Sequence, residues 1–424
     1  MISEGEAPRD LSSLVVPQRG WVEATGDLFD PYRIVDARGV IVVPAAAYLR
    51  DLQASGRPAA TQRSYAYDLL RWWRFLEAAG VAWDQATRVE ARDFCRWIQI
   101  AGKPARPHWR QPAGGDSQRA RPSRAGAGVP NPVTGKPAPG ARYAPATVAR
   151  CETVLRSFYD FHIEAGSRPM VNPFPLARGR RGRVNAHRNP MDPFTAEPAG
   201  RYRPKVPRRI PRQIPDARFD ELFAGLGSHR DRALLAFWIS TGARASELLG
   251  VLRGGADAGQ QLITVVRKGS RALQQLPASP DAFVWLRLYQ QQMHDLVPAG
   301  PDDPLWWTLR RPFRPLGYHA ARAMFVRANA ALGANWSLHD LRHSAAYRLA
   351  RDPQMPIADV QWVLGHAHLS TTQLYVTPTA EDVIKGVLAH HQRRAAGTTP
   401  SSAQSPSLRY RPESLNVLFG QEPK

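Results

Sequence analysis

Apolar residues recur along most of the chain at the spacings of helices, and one stretch reads convincingly as strand. From Pro44 the pattern is helical. Thr61 precedes a stripe of Tyr65, Leu69, Trp72 and Leu76, spaced by four, three and four, and Gly80 ends it. Thr87 with Glu90 three residues on has the form of a capping box, in which each residue satisfies a backbone N–H near the other. Phe94, Cys95 and Ile98 carry that helix toward Gly102. Thr147 is expected to open a further helix through Val148, Cys151, Leu155 and Phe158, stopped by Gly166. Trp72, Trp73, Phe158 and Tyr159 fall on or beside these stripes, which favours core packing over stacking on nucleic-acid bases.

The second half of the chain repeats the pattern with one interruption. Pro215 starts a helix carrying Phe219, Leu222 and Phe223, and Asp231 to Ser240 reads as a buried helix ending at Thr241-Gly242. Arg244-Ala-Ser-Glu247 opens another. Between Gln261 and Pro277 the period changes: Ile263, Val265 and Val266 lead into Arg267-Lys268-Gly269-Ser270, and a return strand reaches Leu276. That predicts a hairpin with Lys268 at its tip. Helical spacing resumes from Pro280 and again from Tyr318 to Leu332. Ser337 and Asp340 have the spacing of a reciprocal cap, and Pro356 starts a helix carrying Val360, Trp362, Val363 and Leu364 until Gly365 stops it. Ser370 with Gln373 is expected to cap the next helix and place Tyr375 in its second turn.

Four stretches lack a period. Residues 1–40 read as a loose arm. Residues 103–144, rich in Pro, Gly and Arg, read as an inserted loop, and residues 397–424 as a polar disordered tail. The fourth, residues 168–212, is an extended basic linker in which Arg178, Arg180, Arg181, Arg183, Lys205, Arg208 and Arg209 are the candidate phosphate contacts. This divides the chain into a helical unit at 41–167 and a second unit at 213–396.

Charge sharpens the picture. The chain of 424 residues has 57 Lys and Arg against 36 Asp and Glu, a net charge of +21, which favours a polyanionic partner and salt-dependent association. Cys95 and Cys151 lie in apolar helical patterns without metal-ligand spacing and read as core residues in a reducing compartment. No stretch reaches the ~18 apolar residues of a membrane span, and no signal peptide is legible at the N-terminus. A cytoplasmic, nucleoid-associated location is expected.

Arg244, Lys268, His339, Arg342, His366 and Tyr375 each stand at an element boundary rather than mid-stripe. Together they suit a phosphodiester. Two guanidinium groups can hold the non-bridging oxygens, a lysine can protonate a leaving oxygen, and a tyrosine hydroxyl can attack if its proton is accepted. No acidic cluster with metal spacing accompanies them.

Arg244-x-x-Glu247, Lys268-Gly269, His339-x-x-Arg342-His343 and Leu364-Gly365-His366-x8-Tyr375 resemble the signature of the tyrosine recombinase (phage integrase) family, in its order and with its usual gaps. The resemblance covers roughly residues 205–394 by motif, and residues 40–166 by layout. It implies a mainly α fold: a helical, SAM-like core-binding domain plus an α+β catalytic domain with a small antiparallel sheet, the two wrapping a duplex from opposite sides. It implies site-specific DNA breakage and rejoining through a 3′-phosphotyrosyl link, without metal, ATP or cofactor. Tyr375 would be the nucleophile, Arg244 and Arg342 the phosphate clamp, and Lys268 the general acid. His339 would assist proton transfer at the tyrosine, His366 would bond a phosphate oxygen, and Glu247 would orient the set. The implied partners are double-stranded DNA, further copies of the chain in a tetrameric synapse assembled through the 379–394 helix, and accessory DNA-bending or directionality proteins. The alternatives that keep the same residues are a type IB topoisomerase-like or hairpin-forming strand transferase, and a DNA-binding protein whose catalytic set is idle.

Overall fold

The computed structural model describes residues 9–104, 128–138, 140–177, 200–206, 212–376 and 380–395. The chain divides into two compact units, Met1–Arg209 and Ile210–Lys424. Of the basic residues singled out above, Arg178, Arg180, Arg181, Arg183, Arg208 and Arg209 lie outside the described residues, as do the centre of the 103–144 stretch and the tail. Lys205 is described and exposed.

The first unit is built from helices α1 (Val43–Ala54), α2 (Ala59–Ala79), α3 (Arg88–Ile100) and α4 (Pro145–Glu164). The α2 stripe packs as its spacing requires, with Leu69, Trp72 and Leu76 buried, and Gly80 closes the helix in the left-handed conformation at φ 68°. Trp72 is the hub of an aromatic core. Its ring meets Phe75, Phe94, Tyr159 and Phe174, and its indole N–H donates to the Tyr159 hydroxyl at 3.0 Å. Deleting a side chain that size from a closed core costs about 3–5 kcal/mol. These aromatics therefore belong to the interior, as do the free thiols Cys95 and Cys151.

Three features of this unit depart from the sequence reading. Residues 1–40 are not all loose arm: β1 (Trp21–Ala24) and β2 (Tyr32–Val35) form an antiparallel hairpin that buries Ile34 and Val35. Each strand has four residues, too few for alternation to register. Helix α4 begins at Pro145 rather than behind Thr147, because a proline fits the first turn, where its missing N–H has no partner to lose. Parts of the expected linker are folded against the unit. Phe174 is fully buried, and Leu176 and Gly200 form a β-bridge.

The second unit contains helices α5 (Asp216–Ala224), α6 (His229–Thr241) and α7 (Ala245–Leu249). A three-stranded antiparallel sheet follows, β3 (Ala256–Asp257), β4 (Leu262–Val266) and β5 (Leu273–Pro277), in the order β3-β4-β5. Val266 pairs with Leu273, so residues 267–272 form the tip of the β4–β5 hairpin. Helices α8 (Pro280–Gln292), α9 (Tyr318–Ala331), α10 (Leu338–Arg351), α11 (Ile357–Leu364), α12 (Leu369–Val376) and α13 (Ala380–Ala395) complete the unit. The core lies between α6, α8, α9 and the sheet, with Trp238, Trp306 and Phe237 at its centre. Helix α12 starts at Leu369, one residue before Ser370, so Ser370 sits in the first turn and not at the cap. Mainly helical units, the second with a small antiparallel sheet, are the fold class expected from the sequence; the two-stranded β1–β2 sheet of the first unit is an addition to it.

Candidate active site

The chain makes a sharp turn where α6 ends. Gly242 adopts φ +61°, which places its carbonyl under α10 and leaves Arg244 at the N-cap of α7. Arg342, in the second turn of α10, is 3% exposed, and its guanidinium donates to Gly242 O at 2.7 Å and to Leu364 O at 2.6 Å. One planar cation thus ties the end of α6 to the end of α11. Burial, and then the neighbouring Arg244 charge, bring its pKa down to about 10, which still leaves it charged at neutral pH.

Arg244 is held by Glu247. The Arg244 backbone N–H donates to one carboxylate oxygen at 3.0 Å and its guanidinium to the other at 2.8 Å. Glu247 also accepts the Lys268 backbone N–H at 2.9 Å and the Arg267 guanidinium at 3.0 Å. Burial would raise this carboxyl. The Lys268 and Arg244 backbone N–H groups and the Arg244 guanidinium outweigh it and hold the pKa at about 2. Glu247 is an anion that anchors, not a group that exchanges protons.

Lys268 is exposed at the hairpin tip. With Arg244, Trp362, Gly365 and His366 it lines a pocket of about 1010 Å³. Gly365 ends α11 at φ +60°, and its carbonyl accepts a long bond from Arg244 at 3.4 Å. That turn presents His366, whose Nδ1 lies 2.9 Å from the Thr372 hydroxyl. Burial, then the charges of Arg342 and Arg244, lower its pKa to about 4, so at neutral pH it is an uncharged donor–acceptor.

The Tyr375 ring is buried with Ala346, Val360 and Leu364 in a small cluster of α10, α11 and α12. Its hydroxyl lies 2.7 Å from His343 Nδ1, and His366 stacks on its ring at 6.2 Å. Burial raises the phenol pKa against the opposing pull of Arg342 and Arg244. To act as a nucleophile the hydroxyl would need a proton acceptor beside it. The structure puts His343 there. His339, the residue expected to serve the tyrosine, is exposed and packs edge-on against His343 with ring centroids 4.3 Å apart. The sequence carried a signal for this: residues at i and i+4 share a helix face, and His343 follows His339 by four. The capping pair at Ser337, whose N–H and hydroxyl both donate to Asp340, sets where that face begins.

A buried tyrosine with an imidazole on its hydroxyl, two arginines locked to the same loops and a lysine on a hairpin are the groups that phosphoryl transfer to a tyrosine would need. Comparison with known proteins narrows the class. Residues 219–382 match the phage integrase family. The tyrosine recombinase XerD of Xanthomonas axonopodis pv. citri is 28% identical over 268 residues, 60% of this chain and 78% of the relative. XerD of Pseudomonas aeruginosa is 32% identical over 200 residues, 45% of this chain and 65% of the relative. Among solved structures, the Tn1549 transposon integrase in complex with transposon right end DNA superposes with a TM-score of 0.53 at 13% identity, over 83% of this chain and 99% of that one. A lambda integrase dimer bound to a COC′ core site gives 0.50 at 15%, over 78% and 76%. The two structural likenesses concern the fold. Residues 219–382 thus carry the phage integrase family match, and the class of enzyme that the match and the XerD relatives support is the tyrosine-type site-specific DNA recombinase.

Proposed function

We propose that the second unit breaks and rejoins DNA at a defined site, with Tyr375 as nucleophile. The observation that carries this is the hydrogen bond from the Tyr375 hydroxyl to His343, on a wall shared with Arg342, Arg244 and His366. Tyr375 Oη attacks the scissile phosphorus and His343 takes the phenol proton. Arg244 and Arg342 neutralise the two non-bridging oxygens as the phosphorane forms, and His366 donates to one of them. The P–O5′ bond breaks as the Lys268 ammonium supplies a proton to the departing oxygen. The products are a 3′-phosphotyrosyl link and a free 5′-hydroxyl. The link keeps the energy of the phosphodiester, so attack by another 5′-hydroxyl reseals the strand without a nucleotide cofactor.

The net charge of +21 supports duplex DNA as the partner. On α13, Ile384, Val387 and Leu388 are each about half exposed, at 56%, 47% and 55%. That apolar edge supports self-assembly of several copies on DNA, a tetrameric synapse being the form proposed. The domain roles follow: a helical DNA-binding unit, a basic connection including Lys205, and the catalytic unit. A nicked suicide duplex bearing the site tests the chemistry. Wild-type protein should form an SDS-stable adduct, and Tyr375→Phe should bind the duplex without forming it. An adduct in that variant overturns the assignment. Relaxation of any supercoiled plasmid, whatever its sequence, would replace site-specific exchange with topoisomerase action.

A further inference from the structure

Arg267, the residue before Lys268, belongs to no motif of the sequence reading, yet its side chain makes four hydrogen bonds beside the pocket. It is 4% exposed. Its Nε donates to Gln274 Oε1 at 2.6 Å, and its Nη1 to Glu247 Oε2 at 3.0 Å. Its Nη2 donates to the Val363 carbonyl and, at 3.5 Å, to the Trp362 carbonyl. Gln274, across the hairpin on β5, donates to the same Trp362 carbonyl at 2.9 Å. The guanidinium also packs closely against the α11 stop, since a Cβ on Gly365 would stand 3.0 Å from its Nε and 3.1 Å from its Cζ.

These partners belong to the strips that carry Arg244, Lys268 and His366. Glu247 holds Arg244, the hairpin base carries Lys268, and the end of α11 presents His366. Stability alone is a poor reason for such a residue. Desolvating a guanidinium costs several kcal/mol, and an apolar replacement for a buried ion pair is often neutral or stabilising. Here Arg267 shares its one carboxylate with Arg244, so the pairing leaves surplus positive charge. What the arrangement does supply is geometry. A planar fork fixes the hairpin base at three directions while leaving the exposed Lys268 stem free to reach over the pocket.

We infer that Arg267 is a positioning residue for the general acid: it sets the hairpin base so that the Lys268 ammonium meets the leaving 5′-oxygen. This rests on the assignment of Lys268 as general acid. Arg267→Gln, Arg267→Lys, Gln274→Ala and Lys268→Ala are compared with wild type on two suicide duplexes. One carries the ordinary phosphate and the other a 5′-bridging phosphorothiolate, whose thiolate leaves without a proton. Displacement by about 1 Å is expected to slow cleavage of the ordinary duplex by about 10²-fold in Arg267→Gln. Arg267→Lys should lose nearly as much and Gln274→Ala less. The phosphorothiolate should restore all of them, as it restores Lys268→Ala. If it restores Lys268→Ala but none of the Arg267 variants, the inference falls and the general-acid assignment stands. If Lys268→Ala itself stays slow on the phosphorothiolate, that assignment falls and takes the inference with it. Should Arg267→Gln melt early, Arg267→Lys and Gln274→Ala carry the same comparison.

Discussion

His343 Nδ1 stands 2.7 Å from the hydroxyl of Tyr375, across 32 residues of sequence, and joins α10 to α12 at the point where the proposed nucleophile would lose its proton. The phenol's raised pKa makes the acceptor matter, because no appreciable phenolate preforms. Positioned proton acceptors contribute roughly 10²–10⁴-fold. His343→Ala is expected to lower the rate of adduct formation by about 10²-fold or more while duplex affinity holds. His343→Asn separates two roles: its amide can still bond the hydroxyl near the Nδ1 position but cannot take up a proton. It should fail like the alanine variant. Cleavage by the asparagine variant at the wild-type rate would reduce His343 to an orienting group.

Arg342 makes its bonds to main-chain carbonyls 100 and 22 residues away, so its role in the fold precedes any role toward phosphate. Lysine keeps the charge but cannot span both carbonyls with one fork. Arg342→Lys should therefore leave a buried carbonyl unmet, costing about 1–3 kcal/mol in urea unfolding, and should also abolish adduct formation. A variant that cleaves slowly at full stability would mean that Gly242 and Leu364 are satisfied some other way.

Much of this site is legible in sequence where its causes are local. The Ser337–Asp340 pair, the left-handed stop at Gly365 and the Lys268 hairpin each depend on residues within a few positions, and each forms as its pattern implies. What could not be read is closure through space. Arg267 reaches Val363 across 96 residues, and Arg342 reaches Gly242 across 100. A single chain gives no pattern for such pairs. His343 was within the motif, but choosing between it and His339 required the direction in which α10 faces α12. The β1–β2 hairpin escaped for a different reason, since half-buried strands of four residues carry almost no periodic signal.

Two glycines near Lys268 look alike in sequence and differ in space. Gly365 has φ +60° and would drive a Cβ to 3.0 Å from Arg267 Nε, whereas Gly269 has φ +106° and open space around it. Gly365→Ala should combine backbone strain with a forced shift of the guanidinium, costing about 2 kcal/mol or more and slowing cleavage. Gly269→Ala should show the backbone strain without that displacement, and so a smaller loss of catalysis. Equal catalytic losses in the two variants would show that the packing beneath Gly365 has no bearing on the site.

Acid should weaken the second unit in two separate windows. The folded chain holds His366 at about 4 against an ordinary 6.5, through burial and then the Arg342 and Arg244 charges. It holds Glu247 at about 2 against 4.5, where the Lys268 and Arg244 N–H bonds and the Arg244 guanidinium overcome burial. Both pKa values are depressed by folding, so in both cases the unfolded chain takes up its proton at the higher pH. Stability is complete above the unfolded values and drains away as pH falls toward the folded ones. The His366 window runs from about 6.5 down to 4, and the Glu247 window from about 4.5 down to 2. For His366 the loss is at most about 3 kcal/mol, less to the extent that solvent reaches the ring. Unfolding free energies measured from pH 7.5 down to about 4.5 should fall more steeply for wild type than for His366→Gln, with the two curves parallel above the upper window. Parallel curves throughout would mean that His366 titrates at its ordinary pKa in the folded protein. Below about pH 6.5 the site would then hold an imidazolium, where the depressed pKa keeps a neutral hydrogen-bonding ring.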